Sequence, residues 1–399
     1  MTALTLVCSG IAVVSAFYFL IILLINIGIF QLKNSTNSPP HNLTTSPIHQ
    51  FTTVTILIPA RNEEENIGFC LHDLSAQDYP MHQVEIVVVN DHSTDRTEAE
   101  VMEFKRLHPA MSLRLIPVIS IRNDRAFKKH SIRSGVDASS GVLIITTDAD
   151  TRLNSGWISS MVSVYEQQQP KMIIGPVDFR EENTFFERIQ GMEFAGLMAA
   201  TAGSCSMGFP LMCNGANLAF ERQAYLETCN SEDDLMYPSG DDLFLMMKIR
   251  KRYGAKSINY LFAENAIVLT TAKKTFGGFF SQRIRWVSKS RGYTDFSVRT
   301  VSLLTWLFNF LLLSALVAGI FNVRLLFFSL ILLGIKMILE LPAVLRILVF
   351  YRKTRRGYLY PLTQVLNLVY VASVGILGNV LSYQWKGRRV NPFVRNTRE

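Results

Sequence analysis

Apolar residues are spaced on two different scales along this chain. At its ends they form long runs. Residues 1–32 carry no charged side chain, and 6–30 is long enough to cross a bilayer. Toward the other end, 301–321 and 361–383 are uncharged, while the only charges in 325–350 are Lys336, Glu340 and Arg346. Lys336 and Glu340 stand four apart, a spacing that pairs them on one helix face and makes charge tolerable inside an apolar span. One N-terminal and about three C-terminal transmembrane helices are therefore expected. In the middle of the chain the runs shorten. Residues 53–59, 84–90, 112–119, 141–147 and 172–177 are brief and rich in β-branched side chains, with helical segments such as 63–74 and 93–107 between them. Strands covered on both faces read in this continuous way, so the alternation predicts an α/β domain with a mostly parallel sheet flanked by helices.

Composition sharpens the division. Of 399 residues, 49% are hydrophobic and only 18% charged, too apolar for an ordinary soluble enzyme. A secretory signal would carry Lys or Arg ahead of its apolar stretch, and none precedes this one, so 1–32 reads as an anchor. The following NSTNSPPHNLTTSPIHQ cannot build a core and makes 33–50 a linker, with Asn34 and Asn42 opening N-x-[ST] sequons. Residues 51–272 are then expected as one globular domain, 273–298 as an amphipathic interfacial segment, 299–385 as the C-terminal helices and 386–399 as a basic tail. Within the globular domain, 194–220 is uncharged but diluted by Gly, Ala, Ser and Pro210, and reads as a buried helix and a loop.

The net charge of +8 gathers beside the apolar runs: Lys33, then Lys273, Lys274, Arg283, Arg285, Lys289 and Arg291, then YRKTRRGY between the last two. The positive-inside rule puts all three groups, and with them the globular domain, on the cytoplasmic side of a multi-pass cell-membrane protein. The tail WKGRRVNPFVRNTRE is equally basic, yet four spans would place it outside, which leaves open whether one C-terminal segment is re-entrant. No nucleic-acid recognition motif accompanies the basic surface, so no nucleic-acid partner is expected. Five cysteines without a CxxC and seven histidines without an HExxH argue against a zinc site or a disulfide framework.

In parallel sheets ligands sit at the carboxyl ends of the strands, and here those ends are polar. The first strand runs into PARNEEEN, the second into NDHSTDRT and the fourth into DAD. Asp148 and Asp150, at i and i+2, can face one hard cation of the kind that serves phosphate oxygens, although Asp is also common wherever a strand turns into a loop. Three polar ends carrying Arg61, Glu63, Asp91, Asp148 and Asp150 point to one site. Further on, CNGANLAF has a glycine, Gly215, that allows close backbone approach. In SGDDLFLMMKIRKRYG, Asp241 and Asp242 stand where a helix begins. Acids there complement the helix dipole, or one is a general base. Glu232, Asp233 and Asp234 form a rival acidic cluster. QRIRW, residues 282–286, lies in a cationic, aromatic stretch ahead of the second apolar run.

Taken together, IPARNEEENI, VVVNDHSTDRT, DAD, GDD and QRIRW resemble the membrane-bound members of glycosyltransferase family 2, inverting nucleotide-sugar transferases of GT-A fold. The resemblance implies that Asp91 reads the base of a nucleotide-sugar donor and that Pro59, Ala60, Arg61 and Glu63 line its pocket. It implies a divalent cation, Mg²⁺ or Mn²⁺, held by Asp148 and Asp150, with Asp148 also at the donor. Arg285, with Lys128 or Lys129, would add fixed positive charge at the diphosphate, Lys129 being counted with the donor-binding set. Asp242 would be the base, and Asp241 stands where the family more usually has Glu. Gly215, Asn217, Gln282 and Trp286 would border the acceptor. The activity implied is transfer from a nucleotide-diphosphate sugar, a UDP-hexose, to a lipid or other membrane-embedded acceptor. The alternative is a processive polysaccharide synthase, for which four spans are few and oligomerisation would be needed. A catalytically silent scaffold subunit is the third reading, against which DAD and GDD are both intact.

Overall fold

The computed structural model of the chain describes residues 3–33, 51–118, 127–229, 240–385 and 388–390. The expected linker with Asn34 and Asn42, the acidic cluster Glu232, Asp233 and Asp234, and most of the basic tail lie outside the described residues. The chain starts with helix α1 (Ala3–Gln31) and continues through β1 (Val54–Ala60), α2 (Ile67–Ser75), β2 (Val84–Asn90), α3 (Thr97–Leu107), β3 (Ser112–Pro117), α4 (Phe127–Ala138) and β4 (Leu143–Thr146). Next come α5 (Trp157–Gln168), β5 (Met172–Ile174), β6 (Val177–Phe179), α6 (Phe185–Ser206), β7 (Leu218–Glu221) and α7 (Arg222–Thr228). Then follow α8 (Asp241–Tyr253), β8 (Ile258–Tyr260), β9 (Val268–Thr270) and α9 (Phe276–Ser288). The last elements are α10 (Phe296–Gly319), α11 (Val323–Phe350), α12 (Tyr360–Leu377) and the short strands β10 (Tyr383–Trp385) and β11 (Arg388–Val390). They form two compact units, one of residues 33–181, 212–271 and 384–399, the other of residues 1–32, 182–211 and 272–383.

The first unit is α/β. Its seven-stranded sheet has the order β3-β2-β1-β4-β7-β5-β8. β1 pairs in parallel with β2 and β4, β2 with β3, and β5 with β8. Only β7 runs against its neighbours, β4 and β5. The mostly parallel sheet is thus borne out, with β7 as an antiparallel strand that LAFE, four residues long, could not announce by its period. Ile56, Leu57 and Ile58 of β1, Ile86 to Val89 of β2 and Ile144 and Ile145 of β4 are all 0% exposed, because helices cover both faces. From β1 the chain adds β2 and β3 on one side, then returns through α4 to place β4 on the other. That reversal opens a crevice beyond the carboxyl ends of β1 and β4. A second, two-stranded sheet pairs β6 with β9.

The second unit is helical. Four helices are long and apolar enough to cross a membrane: Leu4–Gln31, Phe296–Gly319, Val323–Phe350 and Thr354–Leu377. One is N-terminal and three are C-terminal, as the apolar runs require. Lys336 and Glu340 pair at 2.9 Å, and Gln364 of α12 donates to the same Glu340 oxygen at 2.8 Å. Lys336 also donates to Gln364, and Tyr18 of α1 donates to Glu340, so the pair ties three helices together. The last apolar run ends earlier than expected. Asn379 bonds back to Gly375 O and accepts from Arg291, closing α12 at Leu377.

Two features depart from the linear reading. α6, opened by a capping box of Thr184 and Glu187, belongs with the terminal helices and not with the 51–272 domain. A Cβ on Gly28 of α1 would lie 2.1 Å from Gly203 O of α6, and one on Gly203 would lie 2.3 Å from Ile25 O. Only glycines permit so close a crossing, the small-residue device of helix pairs in lipid. Second, Arg356, one of the cations of YRKTRRGY, is buried and paired with Glu182. Its charge is spent inside the helical unit.

Candidate active site

The loops after β1 and β2 interlock. Arg61 Nη1 donates to the carbonyls of Asp91 (2.7 Å) and His92 (3.0 Å), and Asp91 N–H donates to Ala60 O at 2.8 Å. Asn62 accepts from Thr94 N–H, while Glu63 N–H donates to Thr97 Oγ1 at 2.8 Å. Asn62 and His92 both take left-handed backbone, φ 51° and 52°, which lets two tight turns mesh. Glu63 and Asp91 are buried, and His92 Nδ1 lies 3.1 Å from Asp91 Oδ1. Arg61 and Glu63 therefore brace the loops, and Pro59 and Ala60 sit in register with Val89 and Asn90.

β4 ends in Thr146, and DAD forms the turn behind it. Thr151 Oγ1 closes that turn on Asp148 O at 2.8 Å, and Thr147 and Thr151 hydroxyls lie 2.8 Å apart. Behind the turn Cys70 is buried, which pushes its thiol up to about 12 and keeps it protonated. The Asp148 side chain, 36% exposed, pairs with Lys128 Nζ of α4 at 2.8 Å. α8 enters from Gly240, whose φ of 91° admits the sharp turn that puts Asp241 and Asp242 in the first helical turn. Asp242 Oδ2 accepts from Gly215 N–H at 3.1 Å and Oδ1 from Leu243 N–H at 2.7 Å. A Cβ on Gly215 would lie 3.5 Å from Lys128 Nζ and 3.7 Å from Asp241 Oδ2, so this glycine borders the cluster. Burial alone would lower the Lys128 pKa, but Asp148, Asp241 and Asp242 outweigh it and hold the ammonium above the usual lysine range. Three aspartates from two distant stretches thus share one lysine.

Not every expected residue joins them. Asn217 is 0% exposed. Its amide nitrogen donates to Pro176 O (2.7 Å) and Ala266 O (2.8 Å), and its oxygen accepts from Trp157 Nε1 at 2.9 Å. It has no N–H left for a sugar hydroxyl, so it holds three segments together instead of bordering an acceptor. Lys129 Nζ lies 4.4 Å from the Phe244 ring centroid, and it is Lys128 that reaches Asp148. Adjacent lysines on one helix point about 100° apart, and the sequence alone did not say which faces the sheet. Gln282, Arg285 and Trp286 belong to α9 of the helical unit. There Arg283, counted among the membrane-flanking cations, proves to be buried, at 1% exposure, beside the buried Ile284.

Among the described residues no three His, Cys, Asp or Glu side chains gather into a self-sufficient metal cage. The donor set on offer is Asp148 and Asp150, hard oxygens on one short turn. It fits Mg²⁺ or Mn²⁺, which take one or two carboxylates and complete their shell with phosphate oxygens.

Comparison with known proteins agrees with this geometry. The chain resembles poly-beta-1,6-N-acetyl-D-glucosamine synthase of Staphylococcus epidermidis, 22% identical over 237 residues, 58% of this chain and 53% of that protein. It is 29% identical to 4,4'-diaponeurosporenoate glycosyltransferase of Staphylococcus aureus (strain USA300) over 136 residues, 34% of each chain. The matched stretch thus spans about half or less of these relatives. The mannosyltransferase PcManGT from Pyrobaculum calidifontis, solved in complex with GDP-Man and Mn²⁺, superposes with a TM-score of 0.52 at 17% identity, over 91% of this chain and 99% of that one. That likeness shows the fold, which is GT-A. The model of glycosyl transferase family 2 matches residues 55–226, over the strand ends. That of glycosyl transferase family group 2 matches residues 143–378, which carry DAD, GDD and QRIRW and make up more than half of the chain. The chain belongs to glycosyl transferase family 2.

Proposed function

We propose that this chain transfers a hexose from a nucleotide-diphosphate sugar, with UDP as the nucleotide, to a lipid or other membrane-embedded acceptor, inverting the anomeric centre. The observation that carries the reading is the gathering of Asp148, Lys128, Asp241, Asp242 and Gly215 beyond the carboxyl end of β4. Asp148 and Asp150 would hold a divalent cation, whose chemistry is to neutralise charge on the leaving diphosphate. Lys128 adds fixed positive charge at the same place, where negative charge develops. The loops braced by Arg61 and Glu63 accept the nucleotide, with Asp91 at its base. Asp242, its carboxylate aimed by two backbone N–H groups, takes the acceptor proton, and a single displacement turns a UDP-α-sugar into a β-glycoside. Arg285 at the diphosphate, and Gln282 and Trp286 at the acceptor, follow from the QRIRW motif. The four apolar helices support a multi-pass membrane protein, and the basic flanks support a cytoplasmic catalytic unit.

A second reading, a processive polysaccharide synthase, is favoured by the relative named a poly-N-acetylglucosamine synthase. Donor turnover in detergent, screened over UDP- and GDP-sugars with Mn²⁺ or Mg²⁺ or in EDTA, tests the proposal. Metal-dependent release of UDP from one hexose donor is expected; no turnover of any nucleotide sugar would refute it. Product length in native membranes separates single transfer from polymerisation.

A further inference from the structure

Arg283 is the charged member of QRIRW to which the motif gives no task. Its guanidinium is 1% exposed and pairs with Glu193 of α6, itself 7% exposed. The plane of Arg283 lies between two rings, its Cζ 4.6 Å from the Phe279 centroid and 4.1 Å from that of Trp286. Nη1 donates to Gln282 Oε1 at 3.0 Å. One buried side chain therefore touches both Gln282 and Trp286. Burying two full charges is costly, and such a pair often adds less stability than apolar residues of the same volume. This pair is also incompletely satisfied, since Glu193 Oε1 and Arg283 Nε have no hydrogen-bond partner among the described residues. Stability alone is a poor account of it.

We propose that Glu193 and Arg283 form a positioning pair: Glu193 fixes the guanidinium, and the guanidinium sets the Trp286 ring and the end of the Gln282 amide that is spent inside the protein. The proposal rests on the reading of Gln282 and Trp286 as acceptor-side residues. A planar fork is essential to it, because lysine can keep the charge opposite Glu193 but cannot stack on two rings and bond Gln282 at once. No substrate group needs to touch Arg283 during the reaction. Its effect passes through its two neighbours.

The test uses the full-length protein in the membranes that express it, supplied with the radiolabelled donor chosen by the screen. Label is followed into membrane-bound product and into free sugar. Arg283→Lys should lower the ratio of product to free sugar by about 10- to 100-fold, the usual cost of an ångström-scale misplacement. Glu193→Gln, which keeps shape, should lower it in the same direction, and serves if Arg283→Lys fails to fold. In fluorotryptophan-labelled protein, Arg283→Lys should move the ¹⁹F resonance assigned to Trp286 by Trp286→Phe and leave that of the buried Trp157 in place. A merely structural role would lower the amount of folded protein without changing the ratio. If Gln282→Ala lowers the ratio and neither Arg283→Lys nor Glu193→Gln does, the positioning pair is overturned while the motif reading stands. If none of the three changes it, both fall.

Discussion

Asp241 and Asp242 are adjacent, and the proposed mechanism gives them different roles. Asp242 accepts from Gly215 N–H and Leu243 N–H, and both acids contribute to the field that holds Lys128 charged. Asp242→Asn keeps size and one of the two backbone hydrogen bonds but cannot take a proton. Its kcat should fall by about 10²–10⁴ with UDP affinity little changed, and Asp241→Asn should be milder. Turnover and UDP binding measured on both variants check this; a dead Asp241→Asn beside an active Asp242→Asn would reverse the assignment. That the strand-end acids gather at one place was legible in the sequence because three polar clusters follow three strands of one parallel sheet. Asn217 was not. A buried asparagine and an acceptor-binding one look alike in a sequence, and only its three partners on segments 40 or more residues away tell them apart.

Elements were legible where their pattern is local. The four long apolar helices and the parallel strands follow from runs of one composition, and the Lys336–Glu340 pair follows from its spacing within one helix. Its partners Tyr18 and Gln364 could not be read in this way, because α1 and α12 are distant in sequence. Likewise α6 joined the terminal helices through Gly28 and Gly203, a contact between glycines 175 residues apart that no window contains. The network carries an energetic prediction. Lys336→Met alone leaves the half-buried Glu340 without its cation and should cost up to about 3 kcal/mol, while Lys336→Met with Glu340→Leu should recover most of that loss. Thermal denaturation of the detergent-solubilised protein measures both. Equal destabilisation by the single and double variants would mean that the pair does not act as a unit.

At the scale of the whole molecule, the proposal links orientation to chemistry: a transferase that uses a nucleotide-sugar donor made in the cytoplasm should hold its catalytic unit on that side. A cysteine placed in residues 34–50 should escape a membrane-impermeant thiol reagent added to intact cells, and labelling there would invert the orientation. The burial of Arg356 against Glu182 leaves YRKTRRGY one charge fewer for setting that orientation than its sequence suggests. The central claim, that the carboxylates after β4 bind a donor through a divalent cation, has a direct test in calorimetric titration of UDP into the purified full-length protein. Wild type should bind UDP in Mn²⁺ and lose binding in EDTA, while Asp150→Ala, folded as judged by its melting curve, should bind more than about 10-fold more weakly in Mn²⁺. Equal UDP affinity for wild type and Asp150→Ala, unchanged by EDTA, would contradict the account.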